Sequence, residues 1–197
     1  MMAKKNRICP VRRAGSLDNR FRRWLQNPKT ILGPYIKNGM TVLDLGCGPG
    51  FLTIDIASMV GKTGKVIAAD VQEGMLEKLR NRMKGNELER KIQIHQCDEN
   101  RIGIMGPVDF VVAFYVLHEV SNQEALFGEI NTIMVDGGFL LIVEPKLFHV
   151  SKSDFEQTVR TAIRFGFERV ENVKIFFSRG VILRKCQSAS KCLDVAG

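Results

Sequence analysis

Residues 41–51 read TVLDLGCGPGF, and the rest of the chain is arranged around them. The apolar run at residues 41–45 is typical of a buried strand, and a glycine-dense turn follows it before a helical pattern begins. Glycine permits a tight turn and lets a ligand approach the backbone, because it has no Cβ. The free N–H groups at the start of the next helix face the same place. The stretch therefore predicts a site for a ligand that carries an anionic group.

Asp44 narrows the choice of ligand. A carboxylate beside the turn would repel the pyrophosphate of a dinucleotide, but it attracts an ammonium group. An amino-acid moiety carries both charges, so its α-amino group would lie near Asp44 and its carboxylate near the helix. A nicotinamide-binding domain is the less favoured alternative.

The segment from Asp44 to Gly50 resembles motif I of the class I S-adenosylmethionine-dependent methyltransferases, D/E-x-G-x-G-x-G, and matches every defined position. The resemblance extends over about residues 40–186 and is greatest to the small ubiquinone/menaquinone-biosynthesis and type 11 group. It implies S-adenosylmethionine as the cofactor and methyl transfer as the reaction.

Strand-like and helix-like patterns alternate after residue 40. Strands are predicted at residues 41–45, 65–70, 91–96, 107–114, 139–143, 169–178 and 181–185, with helices at 51–59 and 73–84 and after capping-box patterns at 121–124 and 153–156. Alternation of this kind predicts an α/β, Rossmann-like three-layer sandwich with a mainly parallel sheet. A short turn at residues 178–180 makes the last of the seven strands antiparallel.

Composition divides the chain into three parts. Residues 1–38 hold ten basic residues against one acidic residue, so the whole net charge of +8 is accounted for there. This basic N-terminal arm is predicted to contain short helices at residues 16–26 and 28–36 that lie over the cofactor pocket as a lid. Residues 39–186 form the methyltransferase-like domain, and residues 187–197 are expected to be a disordered tail.

The ends of the predicted strands supply further candidates for the cofactor site. Asp70 ends the second strand, where a carboxylate can accept hydrogen bonds from both ribose hydroxyls, and the resemblance gives it that role. Asp98 matches the acidic residue that meets the adenine amino group in the family, with Glu99 as an alternative. The complete predicted cofactor-binding set is Asp44, Gly46, Cys47, Gly48, Gly50, Asp70, Val71, Met75, Cys97, Asp98, Glu99 and Phe114.

Three residues are candidates for acid–base catalysis. The cofactor carries its own leaving group, so the protein mainly has to orient the acceptor, and a general base is needed only if the acceptor must lose a proton. His118 follows the fourth strand, whereas Glu144 and His149 follow the fifth, at the sheet edge where ligands bind. The alternative for each histidine is a structural hydrogen-bonding role.

Composition also excludes several classes of protein. A hydrophobic content of 45% and a charged content of 25% are typical of a globular chain, and no apolar run is long enough to cross a membrane, so a cytoplasmic location is expected. Five cysteines without a C-x-x-C pair argue against a disulfide framework and against a metal site, so free thiols are expected.

The favoured function is methyl transfer from S-adenosylmethionine to a small-molecule acceptor. One alternative is methylation of nucleic acid or protein, with the basic arm contacting the acidic partner. Another is a cofactor-binding protein without catalytic activity. No inserted substrate domain is recognisable, so acceptor selection is expected to fall to the arm or to a second subunit in a homodimer.

Overall fold

The computed structural model describes residues 25–99, 101–146 and 150–187. The predictions for most of the basic arm, for nearly all of the tail and for His149 lie outside the described residues. In chain order the described elements are α1 (Pro28–Leu32), β1 (Thr41–Leu45), α2 (Thr53–Met59), β2 (Lys65–Asp70), α3 (Glu73–Met83), a 3₁₀ turn (Glu87–Arg90), β3 (Ile92–Gln96), β4 (Val108–Phe114), a 3₁₀ turn (Leu117–Glu119), α4 (Gln123–Ile133), β5 (Met134–Pro145), α5 (Lys152–Arg164), β6 (Phe167–Ile175) and β7 (Ser178–Lys185).

The seven strands form one sheet in the order β3-β2-β1-β4-β5-β7-β6. Strands β1 to β5 pair in parallel, whereas β7 is antiparallel to both β5 and β6. The predicted fold class and the antiparallel last strand are therefore confirmed. The chain leaves β1 on one side for β2 and returns on the other for β4, so a crevice opens at the carboxyl ends of these strands.

The core lies in two layers, one on each face of the sheet. Helices α1 to α3 cover one face, where Ile56 and Leu79 are fully buried. Helices α4 and α5 cover the other face, where Phe127 and Val159 are fully buried. Because neighbouring strand residues point to opposite faces, a strand covered on both sides is apolar almost throughout, as β4 is from Phe110 to Phe114.

Helix α1 does not lie over the pocket as the predicted lid. Ile31 and Leu32 are buried in the core, and the Tyr35 ring stacks on Phe110 with its centroid 6.2 Å away. Phe110 lies in the amino-terminal half of β4, away from the carboxyl edge of the sheet. The apolar side chains of this segment are buried against the sheet. Burial there removes more apolar surface from water than a position across an open crevice would, so it stabilises the fold more.

The turn between β6 and β7 was predicted at residues 178–180, and this prediction is wrong. The turn lies at Phe176 and Phe177, and Phe177 adopts a left-handed φ of 51°. Ser178 begins β7 because the strand stays paired with β5 up to Pro145. Gly180 has a packing role instead, since a Cβ there would lie 3.0 Å from the Val173 carbonyl oxygen of β6.

Both predicted helix caps are displaced. Helix α4 is capped by Asn122, whose side chain accepts from the Ala125 N–H at 3.1 Å, and α5 starts with a capping box between Ser151 and Asp154. Neighbouring polar residues can each serve as a cap, so the sequence pattern leaves the position uncertain by one or two residues. The strand predicted at residues 139–143 is longer in the structure, because residues 134–138 also belong to β5, where the pairing register with β4 shifts.

Two further observations concern the cysteines and the helices. Cys186 is disulfide-bonded, which contradicts the free thiol expected there, whereas Cys47 and Cys97 are buried free thiols. Within the described ranges, no helix combines the length and the apolar character that a membrane span requires.

Candidate active site

A cavity opens at the carboxyl ends of β1, β2 and β4, beside the glycine-rich turn. Eleven of the predicted cofactor-binding residues line it: Asp44, Gly46, Cys47, Gly48, Asp70, Val71, Met75, Cys97, Asp98, Glu99 and Phe114. Gly50, the twelfth, is not among the lining residues. A Cβ at Gly50 would lie 2.5 Å from Leu79 Cδ1, so this glycine lets α3 pack against the turn.

The turn itself is held by backbone contacts and leaves space for a ligand. Gly46 adopts a φ of 69°, its N–H donates to the Ala69 carbonyl oxygen at 2.8 Å, and a Cβ there would lie 2.6 Å from Val116 Cγ2. Gly48 adopts a φ of 54°, and a Cβ there would meet nothing within 4 Å. The open space at Gly48 therefore belongs to the cavity, and a ligand can approach the backbone there.

Asp44 places a carboxylate in the buried end of the cavity. Its side chain is only 3% exposed, and the Thr53 hydroxyl donates to Oδ2 at 2.6 Å. Burial raises the pKa of Asp44 to about 7, the hydrogen bond from Thr53 opposes this rise, and the charge of Asp70 adds to it. A cation next to a buried carboxylate favours its ionised form, so the residues present fit a ligand with an ammonium group.

Asp70 joins two turns on the other side of the cavity. Its Oδ2 accepts the Gly48 N–H at 2.9 Å, and its Oδ1 accepts the Gln72 N–H at 2.8 Å. Burial raises the pKa of Asp70, although these backbone hydrogen bonds lower it. Each carboxylate oxygen has a second lone pair, so Asp70 can also accept hydrogen bonds from a vicinal diol such as ribose.

A second acid fixes the loop that follows β3. Glu129 of α4 accepts the N–H groups of Ile102 and Gly103 at 2.8 Å each. Ile102 lines the cavity together with Cys97 and Asp98. Burial raises the pKa of Cys97 to about 12, so this thiol stays protonated and contributes an apolar surface. Glu129 was not among the predicted site residues, because no local sequence pattern links it to this loop.

Aromatic residues after β4 form another wall. Tyr115 has a left-handed φ of 62°, and its ring centroid is 4.6 Å from that of Phe114. The Tyr115 hydroxyl shares a hydrogen bond of 2.5 Å with Ser178 Oγ and accepts from Gln26 Nε2 at 2.6 Å. Tyr115 lines the cavity and was also missed, since neither its strained backbone nor its distant partners can be recognised from the sequence.

His118 and Glu144, predicted independently, form a hydrogen-bonded pair. Glu144 is 1% exposed and accepts from the Leu117 N–H at 2.9 Å, from the His118 N–H at 3.3 Å and from His118 Nδ1 at 2.6 Å. Burial lowers the pKa of His118, but the hydrogen bond and charge of Glu144, together with Glu119, raise it above its usual value.

This pair lies at the rim of the cavity. His118 Nε2 is 3.9 Å from a carboxylate oxygen of Glu119, and Glu119 lines the cavity, whereas His118 and Glu144 do not. The third catalytic candidate, His149, lies outside the described residues. The structure therefore brings together two of the three predicted catalytic residues and places Glu119, the next residue in the chain, beside them.

The class I methyltransferase architecture is defined by three features that are all present. They are a Rossmann-like sheet, an acidic, glycine-rich turn after β1 and a second carboxylate at the end of β2. A family model described as a methyltransferase domain matches residues 36–181, and the chain belongs to this family. By family and fold it carries a methyltransferase domain of the S-adenosylmethionine-dependent class, which implies S-adenosylmethionine as the cofactor.

Named relatives and a solved structure agree with this assignment. The chain is 32% identical over 110 residues to the ubiquinone/menaquinone biosynthesis C-methyltransferase UbiE of Coxiella burnetii, and 30% identical over 110 residues to UbiE of Escherichia fergusonii. Each match covers 55% of this chain, which spans only 44% of either relative. A SAM-dependent methyltransferase from Aquifex aeolicus superposes with a TM-score of 0.81 at 26% identity, over 90% of this chain and 100% of the other.

Proposed function

We propose that this protein transfers the methyl group of S-adenosylmethionine to a small-molecule acceptor, with the His118–Glu144 pair as general base. The observation that carries the proposal is that His118, bound to the buried carboxylate of Glu144, lies at the rim of the cavity that Asp44 and Asp70 line. The names of the relatives, which are C-methyltransferases of quinone biosynthesis, favour a small acceptor.

The cofactor-binding residues divide by chemistry. Asp44 binds the ammonium group of the methionyl moiety, and Gly46, Cys47 and Gly48 form the turn against that moiety. Asp70 binds the ribose hydroxyls. Val71, Met75, Cys97 and Phe114 would hold the adenine with apolar surfaces, and Asp98 or Glu99 would accept from its amino group. When bound, the cofactor supplies a methyl group on a sulfonium leaving group.

The base is prepared by its hydrogen bond to Glu144. With the Nδ1 proton donated to Glu144 Oε2, the Nε2 atom of His118 has a lone pair and can accept the proton that the acceptor loses. Glu144 then stabilises the resulting imidazolium, as a buried carboxylate does for a catalytic histidine. A general base of this kind contributes roughly 10²- to 10⁴-fold to the rate.

Two experiments test the proposal. Calorimetric titration with S-adenosylhomocysteine should show binding to the wild-type chain, and failure to bind would remove the basis for the proposal. Incubation with methyl-labelled S-adenosylmethionine and a small-molecule extract should yield a labelled metabolite with the wild type and much less with His118→Ala. Label on macromolecules alone would favour the alternative of a nucleic-acid or protein acceptor.

The alternative in which the basic arm binds nucleic acid stays a prediction, because residues 1–24 lie outside the described residues. Binding of single-stranded and duplex nucleic acid should weaken steeply as salt increases if the arm contacts phosphates. A response to salt that is flat would remove this alternative. The homodimer and the cytoplasmic location likewise stay predictions.

A further inference from the structure

A second groove lies at the same edge of the sheet as the cofactor cavity. It has a volume of about 620 Å³ and is bounded by the first turn of α5, by Lys146 after β5 and by the β6–β7 turn. Pro145 at the end of β5 pairs with Ser178 at the start of β7, so the groove begins where the carboxyl edge of β5 ends.

The rim of this groove is basic. Lys146, Lys152, Lys174 and Arg179 line it, and the first three are exposed. Glu156 is the one carboxylate among its lining residues, and Arg169 binds it at 2.6 Å. Among the described residues that line the groove, none offers Lys146, Lys152 or Lys174 a free carboxylate, so an anion would be attracted to these lysines.

The surface between these cations is apolar. Phe155 is buried beneath the groove, and Phe176 and Phe177 at the turn are 47% and 57% exposed. Their ring centroids are 4.2 Å apart with the rings nearly perpendicular. Phe177 also has a left-handed backbone conformation, which costs energy in a bulky residue and is more frequent at ligand-binding sites than elsewhere. An apolar surface with a cationic rim fits a ligand that combines an apolar body with an anionic group.

A direct hydrogen bond connects the groove to the cofactor cavity. Ser178 lines the groove and hydrogen-bonds the hydroxyl of Tyr115, which lines the cavity. The Gln26 side chain donates both to that hydroxyl and, at 3.1 Å, to the Phe176 carbonyl oxygen. Ser178 is only 2% exposed, so its contact with Tyr115 forms a buried wall that the two spaces share. The groove also borders the catalytic pair, because Arg179 lines the groove and lies opposite Glu144 in the β5–β7 pairing. A molecule lying along the groove would therefore approach the cavity beside Glu144.

We propose that this groove binds an amphipathic anion, an aryl or alkyl carboxylate or phosphate, and that this is the part of the methyl acceptor remote from the methylated atom. The inference rests on the proposed function, since it names the class of acceptor for the same active site. Lys146 and Lys174 select the acceptor by binding its anionic group, and Phe176 and Phe177 cover the apolar body of the acceptor.

Phenyl phosphate is a suitable probe, with inorganic phosphate and phenol as its two halves. Titration of the full chain, followed by backbone amide NMR, should shift the signals of Phe177 and Gly180, with affinity for phenyl phosphate about tenfold above that for either half. The variant Lys146→Gln/Lys174→Gln should bind phenyl phosphate about five- to tenfold more weakly, because each exposed ion contact contributes up to about 1 kcal/mol, or about fivefold.

The matched control is Lys62→Gln/Lys65→Gln, which removes two exposed lysines before and at the start of β2, on the opposite edge of the sheet. The control should bind phenyl phosphate as the wild type does. An absence of shifts at the groove, or equal affinities for the two double variants, would overturn the inference.

Two further measurements separate the other outcomes. If S-adenosylhomocysteine still binds by calorimetry but phenyl phosphate does not, the inference fails and the proposed function survives. If neither binds, the proposed function fails. Sedimentation with phosphatidylglycerol vesicles, against phosphatidylcholine vesicles, tests a lipid source of the anion. Binding to phosphatidylglycerol vesicles without binding of free phenyl phosphate would overturn the assignment of the groove to the acceptor.

Discussion

Replacing Asp44 with Asn should have opposite effects on the stability of the free protein and on its affinity for the cofactor. A pKa raised from 3.8 to about 7 means that ionising buried Asp44 costs about 4 kcal/mol more than ionising it in the unfolded chain. The wild type therefore loses up to about 4 kcal/mol of stability from this group as pH rises through 3.8 to 7. Asn has nearly the same shape but does not ionise, so the variant escapes this loss.

Urea unfolding at a series of pH values measures the effect. Between pH 5 and pH 8, the free energy of unfolding of Asp44→Asn should increase relative to that of the wild type by about 2–3 kcal/mol. Calorimetry at pH 8 should show that the variant binds S-adenosylhomocysteine about tenfold to a hundredfold more weakly, since a charge-assisted hydrogen bond contributes about 1.5–3 kcal/mol. The Thr53 hydroxyl can still donate to the Asn carbonyl, so local packing is retained.

Asp109→Asn is the control, because Asp109 accepts the Thr41 N–H at 2.7 Å at the opposite end of β1. It should leave cofactor affinity unchanged. A stability difference for Asp44→Asn that does not vary with pH would refute the burial argument, and unchanged affinity would refute the contact with the ammonium group.

Three other predictions concern the same site. His118→Ala should lower turnover roughly 10²- to 10⁴-fold without changing the affinity for S-adenosylhomocysteine, and a normal rate would show that the role of His118 is structural. Glu144→Gln should lower the pKa of His118, because the Glu144 carboxylate raises that pKa. The acid limb of the pH–rate profile should then move to lower pH, and the maximal rate should fall. An acid limb that does not move would contradict the pairing. Asp70→Ala should weaken S-adenosylhomocysteine binding by a few kcal/mol at most, about 1.5–3 for a charge-assisted bond, and unchanged affinity by calorimetry would contradict the ribose contact.

The prediction of residues that do line the cavity depended on local chemistry. The strand, the glycine turn and Asp44 lie within eleven consecutive residues, and each position has a backbone or charge requirement that can be read directly. Asp70 was found because it ends the next strand, which pairs in parallel with β1. Both inferences need only the alternation of strands and helices, which hydrophobic periodicity determines.

The contacts that were not predicted depend on which strands become neighbours in the sheet. Glu144 and His118 are 26 positions apart and meet because β4 pairs with β5. Tyr115 contacts Ser178 because β7 inserts beside β5, and the predicted turn at residues 178–180 became strand for the same reason.

By itself the sequence determined the sandwich of alternating strands and helices, the class of cofactor and the two carboxylates, Asp44 and Asp70, that line the cavity. Only the tertiary structure decided the partner of His118, the position of α1 against the sheet and the basic groove beside the phenylalanine pair. The physical reason is that local pattern specifies each element, whereas contacts between distant elements arise from the pairing of strands and the burial of their faces.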